Sequence, residues 1–298
     1  MGIFDLFDDG PKQEIPREAV AEGDLEKVAT LIDDGMDPNL NWEGNGLTPL
    51  LAAVSSGHLE MAALLLEKGA DPNGQGGHYD FAPLAMAGEV PMFDLLLEKG
   101  ALVDQLDSRG ETALVNAARN GQEIAVKWLI EAGADVNVIN QTGDTALHVG
   151  AWGTSSGRYN PSDIDDSMCD KEYIVNALLG AGAGWFTNDD GETPWHTAAK
   201  AYVTQGVFSA LDRAALGEER NTAFLEKIQT HGNYKGDTFM HILAAHNVND
   251  YDLIDTYQAL LVIKNTEGMT PVEIAQGRGY EGWVETALDM SIFCSEDE

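Results

Sequence analysis

Gly110-Glu111-Thr112-Ala113-Leu114-Val115-Asn116-Ala117-Ala118-Arg119-Asn120-Gly121 decides the architecture, because its frame returns as Gly143-Asp144-Thr145-Ala146-Leu147-His148-Val149-Gly150-Ala151, with the threonines 33 residues apart. The same frame recurs at Gly46-Leu47-Thr48-Pro49-Leu50, at Gly191-Glu192-Thr193-Pro194-Trp195-His196, at Gly236-Asp237-Thr238-Phe239-Met240-His241 and at Gly268-Met269-Thr270-Pro271. A weaker copy is Ala82-Pro83-Leu84-Ala85-Met86-Ala87. Seven copies of one frame make a repeat protein, in which each unit contacts only its neighbours.

The frames are followed by a second apolar stripe and a glycine stop. Leu59, Met61, Ala62, Leu64, Leu65 and Leu66 precede Gly69-Ala70-Asp71-Pro72-Asn73, and Ile124, Val126, Trp128, Leu129 and Ile130 precede Gly133-Ala134-Asp135-Val136-Asn137. Spacings of three and four place each stripe on one helical face. Threonine at the start of the frame caps a first helix, proline fits its first turn, and paired alanines allow the second helix to approach closely. Gly69 and Gly133 supply the positive φ that ends the second helix. A lone pair of such helices cannot bury its apolar face, so the units must stack into an all-α solenoid.

The frame Gly-x-Thr-Pro-Leu-His-x-Ala-Ala, followed by a Leu-Leu-x-x-Gly-Ala-x-x-Asn ending, resembles the ankyrin repeat. That resemblance implies about eight helix-turn-helix units with β-hairpin turns between them. The first unit, from Arg17-Glu18-Ala19-Val20-Ala21 to Gly35, looks like an N-terminal cap, and Gly282-Trp283-Val284 begins a helix that caps the other end. The expected organisation is an N-terminal segment over 1–13, a repeat domain over 14–290 and an acidic tail over 291–298. Thr145 and Thr193 lie 48 residues apart, which places a loop insertion at about 153–170. Thr193 and Thr238 lie 45 apart, so the unit over about 193–230 is irregular, with a second helix near Val207-Phe208 and more helix over 213–228.

Charge narrows the function. The 298 residues carry 17 Lys and Arg against 50 Asp and Glu, a net −33, spread over both halves of the chain. Nucleic-acid affinity comes largely from Lys and Arg displacing counterions, and anionic membrane surfaces attract the same residues. Direct binding to nucleic acid or to a membrane is therefore not expected. With 44% hydrophobic residues the chain has the apolar content of a folded protein. The start, Met1-Gly2-Ile3-Phe4-Asp5-Leu6-Phe7-Asp8-Asp9, has no basic n-region, and no apolar stretch reaches membrane-spanning length. Leu6 stands where myristoylation wants Ser or Thr, and Cys294 is one residue too far from the end for prenylation. These features predict a cytoplasmic protein whose two cysteines, Cys169 and Cys294, are reduced thiols.

No chemistry-bearing motif survives its context. Gly153-Thr154-Ser155-Ser156-Gly157 spells a nucleophile elbow, but that motif needs a preceding strand and a following helix. His148, His196 and His241 occupy the repeat's histidine slot and His58 sits in its turn, so these four are structural. The resemblance implies that the slot's imidazole bonds nearby loop backbone. His246 lies five residues after His241, about 140° round a helix, which is poor metal geometry. His78 and His231 have no partner at ligand spacing. Asp163, Asp165, Asp166, Asp170 and Glu172 fail the calcium-loop pattern, which wants Gly at Met168 and Glu at Ile174. Gly74-Gln75-Gly76 and Gly180-Ala181-Gly182 lack the third glycine of a phosphate cradle. Neither an enzyme, a cofactor nor a metal is expected.

What remains is surface. In the family's geometry, hairpin tips and first helices form a concave groove that binds proteins. The candidate contact residues are Trp42, Glu43, Tyr79, Phe81, Trp185, Phe186, Asp189, Asp190 and Tyr234, aromatics with acidic neighbours suited to a basic partner. The expected function is a non-catalytic module capturing a basic protein, as an inhibitor or immunity protein of a toxin or nuclease, with a monomer favoured. The alternatives are a nucleic-acid mimic that blocks a DNA-binding enzyme, or a general scaffold whose acidity is adaptation to salt.

Overall fold

A computed structural model describes residues 14–152, 169–201, 207, 208, 210, 211, 232–246, 254, 255 and 257–293. The N-terminal segment over 1–13, the Ser155 pentapeptide, Asp163, Asp165, Asp166, His231, the helix expected over 213–228 and Cys294 lie outside the described residues. Of the tail expected over 291–298, residues 291–293 continue the last helix and the remainder lies outside. The described residues are helical and contain no strand; one isolated antiparallel bridge joins Gly76 and Phe81. The chain divides into two compact units, Met1–Leu114 with Glu131–Ala134, and Val115–Ile130 with Asp135–Glu298.

Unit 1 alternates short and longer helices: α1 (Arg17–Ala21), α2 (Leu25–Asp33), α3 (Pro49–Ser55), α4 (Leu59–Glu67), α5 (Pro83–Met86) and α6 (Val90–Glu98). The start of α3 follows the sequence rule directly. Pro49 occupies the first turn and the Thr48 hydroxyl accepts from the Leu51 N–H at 3.1 Å, satisfying a donor the helix cannot satisfy itself. Helix α3 packs on α1, α4 and α5, α2 on α4, and α4 on α6, so each helix buries its stripe on a neighbouring repeat. Val28, Leu50, Leu51, Met61, Leu65, Leu84, Phe93 and Leu96 form the core.

A second link runs between repeats at the glycine stops. The Asn39 amide donates to the Gly69 carbonyl at 3.0 Å and accepts from the Asp71 N–H at 2.6 Å. Asn73 does the same with Gly100, at 3.1 Å, and Leu102, at 2.7 Å. Carbonyls left over at the end of an outer helix are thus taken up by the preceding repeat's asparagine.

Unit 2 holds α7 (Ala113–Arg119) from Val115, α8 (Glu123–Glu131) to Ile130, α9 (Ala146–Trp152), α10 (Cys169–Gly180), α11 (Pro194–Lys200), α12 (Phe239–Ala245), α13 (Pro271–Gly277) and α14 (Glu281–Phe293). The short helices stack in order, α9 on α11, α11 on α12 and α12 on α13, while α10 covers α9 and α14 covers α13. Val207, Phe208, Ala210 and Leu211 are helical and buried, where the second helix of the irregular unit was expected. After α12 the outer position contains a 3-10 helix, Gln258–Val262, which packs on α13 and α14. Trp195, Phe208, Phe239, Tyr257 and Trp283 fill this core. Phe239 and Tyr257 meet edge to face at 4.9 Å, a favoured aromatic geometry.

Candidate protein-binding surface

The hairpin tips are built by one residue type at one position. In unit 2 the Asn188 Oδ1 accepts from the backbone N–H groups of Asp190 and Glu192 at 3.1 and 2.9 Å. Asn233 accepts from Lys235 and Asp237, Asn265 from Glu267 and Met269, and Asn140 from Thr142 and Asp144, all between 2.9 and 3.1 Å. Asp107 does the same in unit 1 for Arg109 and Glu111. A short polar side chain that bonds its own backbone two residues on is a turn former, and glycine three residues later closes the turn. The signal Asn/Asp-x-x-Gly was present in the sequence at each of these places but carried no site prediction.

Successive tips are joined through backbone. The Asp189 N–H donates to the Thr142 carbonyl at 3.0 Å, the Tyr234 N–H to Asp190 at 3.1 Å and the Thr266 N–H to Lys235 at 3.0 Å. Side-chain bonds run alongside, from Asn188 to Asp144 at 2.9 Å and from Asn265 to Asp237 at 2.7 Å. Neighbouring tips in unit 2 are therefore pre-organised, which lowers the entropy cost of presenting a binding surface.

Beneath the tips the histidines act as bolts. His148 Nδ1 accepts from the Thr145 N–H at 3.2 Å, and its Nε2–H donates to the Glu192 carbonyl at 3.1 Å. His196 and His241 repeat this with Thr193 and Asp237, and with Thr238 and Met269. A backbone N–H can only donate, so Nδ1 carries no proton and the rings are neutral. Burial holds His148 below the ordinary imidazole pKa, against the pull of the Asp144 carboxylate, and burial does the same for His241 against its bond to Met269. His58 bonds the Ala21 carbonyl through Nε2 at 3.1 Å, also a structural role.

The expected contact residues divide on this scaffold. Trp42 departs from its expected part: it is 4% exposed, its Nε1–H donates to the Ile15 carbonyl at 2.7 Å, and the Arg17 guanidinium lies over its ring. Its indole is thus used to hold the backbone at Ile15, just before α1, since a buried indole N–H needs an acceptor. Glu43 is exposed, and its carbonyl accepts from Arg17. Tyr79 and Phe81 meet edge to face at 5.7 Å beneath Arg109, which lies 4.4 Å over the tyrosine and pairs with Asp107 and Glu111 at 2.9 Å each. Tyr79 remains 39% exposed, and Phe81 is half-buried. In unit 2, Trp185 is half-buried on Trp195, with ring centroids 4.9 Å apart, while Phe186, Asp189, Asp190 and Tyr234 are exposed. Tyr234 is the extreme case at 78%. Replacing Trp42 by phenylalanine is expected to lower stability by about 1–3 kcal/mol, the cost of an unsatisfied buried acceptor. Tyr234→Ala should change stability by no more than about 0.5 kcal/mol. Urea unfolding of the two variants checks the contrast.

Between the tips and the helices α11, α12 and α13 lies an open groove of about 580 Å³, wholly within unit 2. Asp190, Tyr234, Lys235 and Glu267 line its tip side, Lys200, His246 and Arg278 line the side formed by the helix ends, and Glu192, which pairs with Lys200, and Glu273 lie between them in the lining of the groove. Lys200, His246 and Arg278 are 46 and 32 residues apart and share no local pattern, so their meeting at one groove is not visible in the sequence.

Repeating helix pairs joined by asparagine-built turns and histidine bolts define an all-α repeat protein of the protein-interaction class. Family models described as ankyrin repeats match residues 17–66 and 81–159. An ankyrin repeat domain from Acinetobacter baumannii AYE is structurally similar, with a TM-score of 0.54 at 27% identity over 65% of this chain and 95% of that one. Neurogenic locus notch homolog protein 1 of Xenopus tropicalis is 33% identical over 125 residues, which are 36% of this chain and 5% of that protein. NAD-capped RNA hydrolase NUDT12 of Macaca fascicularis is 29% identical over 132 residues, 43% of this chain and 23% of that protein. The chain thus spans less than a quarter of either curated relative. Residues 17–66 and 81–159 therefore match ankyrin repeats, and the fold resembles an ankyrin repeat domain. Among the described residues no helix is long and apolar enough to cross a membrane.

Proposed function

We propose that this ankyrin-repeat chain is a non-catalytic capture module for a basic protein, acting as an inhibitor or immunity-type partner that masks a cationic active surface. The observation that carries the reading is the joining of net charge −33 to a braced row of tips that exposes Phe186, Asp189, Asp190 and Tyr234. Aromatics dominate interface hot spots, and carboxylates beside them speed encounter with a cationic partner and repel acidic competitors. Tyr79 and Glu43 extend the candidate contacts into unit 1.

The test is affinity capture on the full chain at low and moderate salt, with Asp189→Lys/Asp190→Lys and Tyr234→Ala as variants. One basic protein retained at moderate salt by the wild type, and lost on both variants, is the expected result. A spread of cationic proteins that all elute at moderate salt overturns it, because non-specific surface attraction is screened at about 10 Å in 0.1 M salt.

The nucleic-acid mimic is the second reading, favoured by one observation. Asp33, Glu67 and Glu98 end α2, α4 and α6 and are exposed at the same repeat position, forming a file. Asp33 is also paired with Lys68 at 2.6 Å, which removes part of that file's charge. Salt adaptation is tested separately. Stability should rise modestly with sodium chloride and level off once self-repulsion is screened; a steep rise continuing into molar salt, read by thermal melts, would assign the acidity to solvent instead.

A further inference from the structure

We propose that Tyr79 and Asp80, at the tip of the unit 1 hairpin between Gly76 and Phe81, seat an arginine side chain of the protein partner, its stem along Tyr79 and its guanidinium on the Asp80 carboxylate. The inference rests on the capture reading above and deepens it, by naming a contact outside the unit 2 row and the side chain that the contact takes.

The build of the hairpin makes the first argument. Gly76 and Phe81 exchange backbone bonds at 3.1 and 2.9 Å and enclose four residues, where the asparagine-built turns enclose three. Glycine stands where those turns have their asparagine, and this tip is held from its flanks instead. The Gly77 N–H donates to the Gly46 carbonyl at 3.0 Å and the Ser108 N–H to the Tyr79 carbonyl at 2.9 Å. The Gln75 amide donates to the Asp80 and Leu106 carbonyls at 2.9 and 2.6 Å. Arg109 lies over both Tyr79 and Phe81, and His78 stands edge to face with Tyr79 at 4.5 Å. Tyr79 and Asp80 are nevertheless exposed, so they project from fixed backbone and a partner does not have to order them.

The conformation of Asp80 makes the second. Its φ is +53°, and every other described residue with positive φ is a glycine. Aspartate tolerates that region at a cost that glycine avoids. The fold gains nothing in return, because among the described residues the Asp80 carboxylate has no hydrogen bond or ion pair. Asp107 of the neighbouring tip, by contrast, serves both its own turn and Arg109. A strained, exposed residue whose charge the fold leaves unused points to a role in binding.

The surroundings select the ligand. One amide nitrogen bonds the carbonyls of Asp80 and Leu106, so the two residues lie side by side, and Tyr79 and Leu106 are 39% and 48% exposed. Apolar surface beside a single carboxylate fits a side chain with an apolar stem and a cationic head. Arginine matches because its planar guanidinium forks a carboxylate and also lies against aromatic surface. Arg109 does not neutralise Asp80, since it is paired with Asp107 and Glu111 at 2.9 Å each.

The experiment uses the full chain and NMR signals of the Tyr79 ring and the Asp80 amide at constant ionic strength. The probes are acetyl-Gly-Arg-Gly-amide and its citrulline counterpart, which keeps the shape of arginine without the charge. Saturable shifts with the arginine peptide and none with the citrulline peptide are expected. Asp80→Asn should weaken binding about fivefold, the upper range for an exposed ion pair. Asp80→Gly should weaken it equally without lowering the urea midpoint, because glycine takes this φ freely. A lowered midpoint would assign Asp80 to the fold and overturn the proposal. An equal response to the citrulline peptide overturns it too, as do equal shifts at the exposed Glu26 and Glu60, which report diffuse attraction to a chain of net charge −33. The peptide shifts require no partner, so failure of this seat is read without the capture assay. Failure of the capture reading shows instead as no single basic protein retained at moderate salt.

Discussion

Gly143→Ala is expected to destabilise the protein by about 3 kcal/mol or more, whereas Gly133→Ala should cost about 1 kcal/mol. Both glycines have positive φ, +76° and +88°, so both substitutions carry the conformational penalty of a left-handed residue. They differ in what a β-carbon would meet. At Gly133 nothing lies within 4 Å. At Gly143 the added carbon would stand 2.7 Å from the Asp189 nitrogen, 2.8 Å from its Oδ1 and 2.9 Å from the Asn188 Cα. Two of those atoms are backbone, which can retreat only by breaking the Asp189 N–H bond to Thr142 and unseating the Asn188 turn. The difference between the two variants in urea unfolding therefore measures what the tip-to-tip bonds contribute. Equal losses would show that the row is held from below, by the histidines alone. In a partner assay, Gly143→Ala should also weaken capture through Asp189 and Asp190, while Gly133→Ala should not.

His148→Ala should cost about 3–5 kcal/mol, because it leaves the Thr145 N–H and the Glu192 carbonyl without partners and opens a cavity at a fully buried position. The same ring predicts a pH dependence. His148 and His241 have folded pKa values below the ordinary imidazole value, so the unfolded chain binds their protons more readily. Stability is then complete above the unfolded value of about 6.5 and falls as the pH drops below it. Each histidine contributes a slope of at most about 1.4 kcal/mol per pH unit. The structural cause is that Nδ1 already faces the N–H of Thr145 or Thr238, and a proton there would set two donors against each other. Urea midpoints between pH 7.5 and 5.5, a window above the ordinary carboxylate range, should fall for the wild type and fall less for His148→Gln. A rise in stability over that window would contradict neutral bolts.

These two effects bear on function through rigidity. A partner that binds the tips gains affinity only if the tips do not have to be ordered at the moment of contact. In unit 2 the asparagine turns fix each tip internally, the tip-to-tip bonds align neighbours, and the histidines tie each short helix to the following turn. Exposed Tyr234 and Phe186 thereby project from fixed backbone, which is the condition for an aromatic anchor to contribute strongly.

Much of this was legible before any tertiary structure. The 33-residue recurrence, the threonine starts with their prolines, the three-and-four spacing of Leu59 to Leu66 and the glycine stops are local signals, because helix initiation, helix termination and amphipathic period depend on neighbours in the chain. The slot histidines were readable for the same reason, lying three residues from the threonines they serve. Exposure was not readable. Trp42 and Tyr234 are both aromatics in hairpins, yet one is buried with its indole on the Ile15 carbonyl and the other is 78% exposed. Which of them is covered depends on the segment that folds back over it, and that is a long-range fact. The groove shows the same division. Lys200, His246 and Arg278 have no common motif in the chain, and only the stacking of α11, α12 and α13 brings them to one cavity. Local chemistry determined the repeating unit; the packing of repeat on repeat decided which side chains a partner can reach and which distant residues, such as Lys200, His246 and Arg278, share one groove.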